Sequence, residues 1–504
     1  MKKTFIILLC LLSAFCLSAK TYDMQKLGAD ISGKKKCTEL INSTIKKAAA
    51  EGGGTLYFAA GTYLTGSIQM LNNITIHIES GATLKFTDDF DDYLPFIKVR
   101  WEGVFMHSFR PLINAQNAEN LTITGRGTIE GQGAKWWTAR RNTNNEIDKY
   151  QKMWDEQNAD VVVEDYYKST ITRRFFRPPC IQFLECKNIR IEGIKIQNSP
   201  FWTINPEGCE NIVVDGVTIN NPASSPNTDG INPSSCRYVR ISNCFLDVGD
   251  DCITIKSGRD GDGRAYGKPC EDITITNCVM LAGHGGVVIG SEMSGGVKKV
   301  TIANCVFDGT DAGIRLKSTR ARGGTVEEIS VSNIVMNDIQ KNCFIFDLFY
   351  TRTQPEPFSE RTPIFRNIHI SNVTGKNIKK VGYINGLAEM PVENISFSNI
   401  NIVAEEGFTA SLGNNVRFDN CDFAVTKGAS FAFTNCNDVL FNNVRTTKPI
   451  ANQAVIELTN TNNVLVNNCF QIAPTDLFLK STNSNFIWGQ NYLMNTKTDK
   501  LVVE

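Results

Sequence analysis

Tyr238-Val-Arg-Ile-Ser-Asn-Cys244, Asp272-Ile-Thr-Ile-Thr-Asn-Cys278 and Lys299-Val-Thr-Ile-Ala-Asn-Cys305 are three successive copies of one short pattern. A polar residue is followed by an aliphatic, any residue, an aliphatic, a small or polar residue, then Asn and Cys. The alternation has period two, as in a strand with one buried face. The pattern returns upstream at Asn73, Asn120, Asn188 and Asn211, and downstream at Glu328, Asn367, Asn394, Asn415, Asp438 and Asn463. Copies separated by ~20 to 40 residues imply a solenoid, because strands this short bury a continuous core only by stacking rung on rung. No leucine-rich pattern with a helix per turn and no grouping of strands in fours is present. The reading is therefore all-β, a right-handed parallel β-helix of a single chain. The Asn or Gly that follows most copies tolerates the tight corner between faces.

The rest of the chain fits that frame. Cys37 to Glu51 carries Leu40, Ile41, Ile45 and Ala48 to Ala50 at helical spacing before Gly52-Gly-Gly54, which predicts a helix capping the N-terminal end of the solenoid. Tyr93 to Arg177 is richer in aromatics and charge and reads as long external loops. Cysteines 244, 278, 305, 421 and 469 share one repeat position, as small buried hydrophobes would; Cys252 and Cys270 could close a loop as a disulfide. Lys2 and Lys3 before the apolar run Phe5 to Leu17 and the small pair Ser18-Ala19 read as a cleaved export leader, residues 1–19. The β-helix then occupies 20–504, and the protein is secreted or periplasmic. Fifty-two basic and fifty-two acidic side chains cancel, leaving no global field for nucleic acid or an anionic membrane. No later stretch is apolar enough to span a bilayer.

Four consecutive repeats carry unusual polar clusters: Asn227-Thr-Asp229-Gly230, Gly249-Asp250-Asp251-Cys252, Gly283-His284-Gly285 and Arg315-Leu-Lys317. Any one acid beside a glycine is more often a turn former. Together they map to one patch about four rungs, ~15 Å, long. Asp229 and Asp250 lie one repeat apart and are expected to stack. Arg315 and Lys317, two apart, face outward with Leu316 in the core. Asp251 must leave strand alternation to reach the same patch, and Gly249 permits that bend. Crowded carboxylates repel, so at least one retains a proton. A protonated and an ionised carboxyl are what glycosidic hydrolysis needs. His284 would hydrogen-bond an acid, and Arg315 and Lys317 would bind a sugar carboxylate. Asp260-Gly-Asp262-Gly263 lacks the ligand pattern of a calcium loop and reads as an external loop.

In this order the clusters resemble the motifs Asn-Thr-Asp, Asp-Asp, Gly-His-Gly and Arg-x-Lys of the polygalacturonase family, family 28 of the glycoside hydrolases. The likeness extends to Gly53-Gly-Thr-Leu-Tyr-Phe, Gly125-Arg-Gly-Thr-Ile-Glu-Gly131 with Trp136-Trp137, and Ser199-Pro-Phe-Trp202. It implies a pectin-lyase-like β-helix and inverting hydrolysis of α-1,4-galacturonosidic bonds in polygalacturonate. It makes Asp250 the general acid, Asp229 and Asp251 the groups that position and deprotonate water, and His284 the acid's support. Asn227, Arg315, Lys317 and Tyr350 become substrate-binding residues. The insertion Ser257-Gly-Arg-Asp-Gly-Asp-Gly-Arg264 resembles bacterial exo-acting members. The expected partner is an acidic plant polysaccharide or oligogalacturonide; no cofactor, no metal, no nucleic acid and no membrane are expected, and no oligomeric state is assigned. Rhamnogalacturonan and xylogalacturonan backbones remain alternatives, followed by a pectate lyase and a non-catalytic glycan-binding solenoid.

Overall fold

The computed structural model describes residues 20–141, 148–161, 176–351 and 354–503. The expected leader, residues 1–19, lies outside the described residues. Among them no helix is long and apolar enough to cross a membrane.

The chain winds into a right-handed parallel β-helix whose strands form one large, almost wholly parallel sheet. Register is kept over many turns: Val239 pairs with Ile273, then Val300, Ile329, Ile368, Ile395, Val416, Val439 and Val464. All of these aliphatics are buried, because every second side chain of each short strand points into the coil. The corners explain the repeated polar residues on either side. Asn188, Asn211, Asp272 and Asn415 stand one residue before the first buried aliphatic of each copy with φ of 55°, 61°, 57° and 53°, and Asn243, Asn277, Asn304 and Asn420 stand two residues after its last inward side chain with φ of 57°, 56°, 56° and 52°. This left-handed conformation is one that Asn and Asp adopt more readily than other side chains. Asn side chains also bond rung to rung: the amide of Asn399 donates to Asn372 at 3.1 Å and that of Asn420 to Asn399 at 2.9 Å.

Inside the coil the repeats stack like on like. Phe397, Phe418 and Phe441 form a near-parallel column with centroids 4.8 and 5.9 Å apart, within the range of favourable aromatic pairs. All described cysteines are buried free thiols, Cys252 and Cys270 included, so the loop-closing disulfide does not form. The helix Thr38–Ala50 buries Ile41, Ile45 and Ala48 over the first rungs and ends at Glu51. Its apolar stripe covers the otherwise open end of the core.

Tyr93 to Arg177 differs from the loop expectation. It supplies three β-helix strands, Ile113–Gln116, Glu119–Gly125 and Thr128–Glu130. It also forms an antiparallel hairpin from Ile97–Trp101 and Val104–Ser108. Trp101, Trp136, Arg100 and Arg177 are fully buried within it, so its aromatics extend the one hydrophobic core outward over the solenoid wall.

Candidate active site

The clusters sit on one outward face of the coil. Strands Ile253–Ile255, Val287–Gly290, Ala312–Lys317 and Asn342–Asp347 pair in sequence, with Thr254 beside Val288, then Arg315, then Ile345. Leu316 is buried at 0 % exposure in the core while Arg315 and Lys317 project outward, as alternation requires.

The rung alignment of the acids differs from the sequence expectation. Ile231 bridges Ile253, and the Gly230 N–H donates to the Asp251 carbonyl at 3.0 Å, so Asp229 lies beneath Asp251, not Asp250. Asp250 sits one residue earlier, on the bend, where the His284 N–H donates to its carbonyl at 3.0 Å. That bend needs Gly249: a Cβ there would meet the Ser225 carbonyl oxygen at 2.3 Å. The outcome is still one cluster, in which Asp229, Asp250 and Asp251 each offer an oxygen within 4.8 Å of the others.

Each carboxyl is held differently. Asp229 is 3 % exposed, and accepts from the Asn232 amide at 3.1 Å and the Thr254 hydroxyl at 3.3 Å. Burial, reinforced by the charge of Asp250, pushes its carboxyl well above the usual carboxylate range. Asp250 accepts on Oδ1 from the Asp251 N–H at 2.9 Å, pairs there with His284 Nδ1 at 3.1 Å, and accepts on Oδ2 from the Asn227 amide at 3.4 Å. Burial opposes its charge, but the His284 hydrogen bond and the Lys317 charge outweigh it and hold the carboxyl down at about 2. The same bond to Asp250 raises the His284 imidazole. Asp251 accepts from Lys317 Nζ at 2.8 Å, with Arg315 Nη1 3.8 Å away. Of the carboxyls, Asp229 is thus the one whose surroundings favour the protonated form and Asp250 the one whose surroundings favour the charge.

Sequence reasoning missed a second layer. Lys256 Nζ, 4 % exposed, donates to Glu292 Oε2 at 2.9 Å, lies 4.0 Å from Asp229 Oδ2, and sits 4.7 Å over the Trp202 ring. Glu292 also receives Arg259 at 2.6 Å, with Arg322 3.7 Å away. These cations hold it well below the usual carboxylate range despite its burial. Lys256 could have been found, since alternation from Thr254 puts it on the outer face. Glu292 and Arg322 carry no local signal. Arg259 opens the segment read as an external loop, which instead folds as the helix Asp260–Tyr266 with Asp260 and Gly263 buried. The three acids could bracket a cation, but Lys317 and Lys256 already set ammonium charges against Asp251 and Asp229.

The cavity holds about 180 Å3 and is lined by the three acids, Lys256, Glu292, Arg259, Trp202 and Glu102, with Asn227, Lys317 and Tyr350 toward its mouth. One end is closed. The hairpin lies across the outward face of the preceding rungs: the Gln182 amide donates to the Arg100 carbonyl at 3.0 Å, Arg100 Nη1 donates to Ser235 at 3.0 Å, and Glu102 pairs with Arg259 at 3.4 Å. Arg315 and Lys317 lie 5.7 and 5.4 Å from the ring centroid of Tyr350, itself 42 % exposed. A protonated carboxyl, an ionised one and a cationic rim suit acid–base cleavage of a glycosidic bond in an anionic polymer.

A family model described as glycosyl hydrolases family 28 matches residues 166–422. A probable polygalacturonase of Vitis vinifera is 29 % identical over 392 residues, 76 % of this chain and 74 % of that one. An endo-polygalacturonase of Pectobacterium carotovorum is 27 % identical over 403 residues, 78 % of this chain and 92 % of that one. Among solved structures, the hyperthermoactive exopolygalacturonase of Thermotoga maritima superposes with a TM-score of 0.72 at 31 % identity, covering 80 % of this chain and 91 % of the other.

Proposed function

The chain belongs to family 28 of the glycosyl hydrolases, and on that premise we propose that it hydrolyses the α-1,4-galacturonosidic bonds of polygalacturonate from one end of the polymer. The observation that carries the reading is the trio Asp229, Asp250 and Asp251 beside the cations Arg315 and Lys317. Asp250 is the general acid, and Asp229 and Asp251 hold and deprotonate the attacking water. In the free site the surroundings favour a proton on Asp229 over Asp250, so substrate must reverse that preference. A glycosidic oxygen arriving at Asp250 is only an acceptor and favours the protonated form there, whereas a water donating to Asp229 favours the ionised form. His284 steadies Asp250 on the opposite oxygen. Arg315 is the freer of the two rim cations, because Lys317 is engaged by Asp251 at 2.8 Å. Arg315 binds a galacturonate carboxylate, Lys317 fixes Asp251, and Asn227 and Tyr350 complete the mouth.

What supports end-on action is the hairpin, which sets Glu102 against Arg259 in the cavity wall. The carboxyl oxygens lie within 4.8 Å, closer than the ~6.5–9.5 Å between carboxyls in most inverting sites, so inversion rests on the family likeness. We further propose that residues 1–19 are a cleaved leader and 20–504 the catalytic domain, placing the enzyme outside the cytoplasm with its substrate.

One experiment addresses both parts. Purified enzyme is given polygalacturonate, rhamnogalacturonan and xylogalacturonan, and products are followed by chromatography and by proton NMR in the first turnovers. Short products from polygalacturonate with slow loss of viscosity, first appearing as the β-anomer, are expected. Random oligomers would refute end-on action, an α-anomer would refute inversion, and ultraviolet-absorbing unsaturated products would refute hydrolysis.

A further inference from the structure

Arg177 lies outside all four motifs and is 1 % exposed. Its guanidinium sits 4.9 Å from the Phe201 ring centroid. Nη1 donates to the carbonyls of Pro200 at 2.9 Å and Pro226 at 2.5 Å, and Nη2 donates to Asn227 Oδ1 at 2.8 Å. A guanidinium has donors and no acceptor, so the atom of the Asn227 amide facing it must be oxygen. The NH2 group is thereby turned the other way, toward Asp250 Oδ2 at 3.4 Å.

The orientation matters because the two oxygens of Asp250 are not equivalent. Oδ1 is occupied by the Asp251 N–H and by His284, whereas Oδ2 meets only the Asn227 amide among the described residues. Oδ2 is thus the oxygen that can carry a proton to a leaving group. Were the amide reversed, its C=O would face Oδ2 and accept that proton's hydrogen bond, holding it inside the protein.

We propose that Arg177 is a positioning residue that locks the Asn227 amide with its N–H toward Asp250, so that the amide offers the acid proton no acceptor and leaves it available to the glycosidic oxygen. In the step served, the proton passes from Asp250 Oδ2 to the glycosidic oxygen. The bond from that oxygen to the anomeric carbon breaks with its electron pair staying on oxygen, and water adds to the carbon and loses its proton to Asp229 or Asp251. The inference rests on the role proposed above for Asp250.

The test is a two-by-two set: wild type, Arg177→Met, Asn227→Gly and the double variant, each assayed on polygalacturonate across pH. Glycine suits position 227, whose φ is 55°. Arg177→Met is expected to lower kcat about tenfold with little change in KM, a fraction of what a general acid contributes. It should also move the alkaline limb of the kcat profile to higher pH, because a reversed amide stabilises protonated Asp250. The other charged groups facing Asp250, namely Asp229, Asp251, His284, Lys256 and Lys317, are the same in all four proteins. Adding Arg177→Met to Asn227→Gly should change kcat less than about twofold, since interaction energies appear only between coupled residues. Equal losses in both backgrounds, or a fixed alkaline limb, would overturn the inference while leaving the hydrolase reading intact. A wild type inactive on polygalacturonate would remove both. If Arg177→Met does not fold, Arg177→Lys, which keeps a cation among the proline carbonyls without the guanidinium fork, is run in the same cycle with the same criteria.

Discussion

Lys317 Nζ donates to Asp251 Oδ2 at 2.8 Å, and the two side chains are 9 % and 1 % exposed. Both line the cavity and are almost wholly buried, so each partner makes the other's burial tolerable. Lys317→Met leaves Asp251 with Arg315 alone, 3.8 Å away. Removing one partner of a buried pair costs about 3 kcal/mol, and urea unfolding should show a loss of that order. Asp251→Asn added to Lys317→Met should recover most of the stability and none of the activity. A Lys317→Met protein as stable as wild type would show that Arg315 replaces the lysine.

Gly283 carries the backbone on which His284 and Asp250 meet. Its φ is 137°, and a Cβ there would lie 2.6 Å from the Asp250 carbonyl oxygen. Gly283→Ala should therefore displace the acid and lower kcat by about a hundredfold, the scale of an ångström-level misplacement. Gly267→Ala, where φ is 62° and the nearest atom is 3.5 Å away, is the control for backbone strain alone and should keep most of its activity. Similar losses in both would argue against a positional role for Gly283.

Lys256 Nζ lies 4.0 Å from Asp229 Oδ2 and opposes the rise that burial imposes on that carboxyl. General acid catalysis by Asp250 with a carboxylate base needs one proton on the trio: the acid limb marks gain of a second, and the alkaline limb marks loss of the one. Removing the ammonium in Lys256→Met favours protonation at every step, so both limbs of the kcat/KM profile should move to higher pH. Lys256→Arg should leave them near their wild-type positions. An unchanged or acid-shifted profile in Lys256→Met would show that this lysine does not act on the trio.

Glu102 lines the cavity and pairs with Arg259 at 3.4 Å, on a backbone with φ of 43°. Glu102→Gly keeps a residue suited to that conformation and removes side-chain bulk from the wall. Among the first products from polygalacturonate, the ratio of dimer to monomer should rise. An identical product ratio would place the end of the groove elsewhere.

Much of this was readable along the chain because it is local. The alternation Ile273, Ile275 and the left-handed Asn at each corner are properties of a few consecutive residues, and repetition made them unambiguous. The four clusters were legible for the same reason, each being compact and one repeat from the next. Counting residues between them gave the wrong stacking, however. Asp229 and Asp250 are 21 apart, while the rung from Ile231 to Ile253 spans 22, and one residue decides which acid lies beneath which.

By itself, then, the sequence determined the coil, its corners and which side chains could do chemistry, since these depend on side-chain period and backbone preference. Only the tertiary structure decided which oxygen faces which donor, which carboxyl is pushed up and which held down, and what lines the cavity. Those depend on burial and on charges from distant segments. Arg177, Arg259, Glu292 and the Ile97–Ser108 hairpin reach the acids only after the coil has closed around its core.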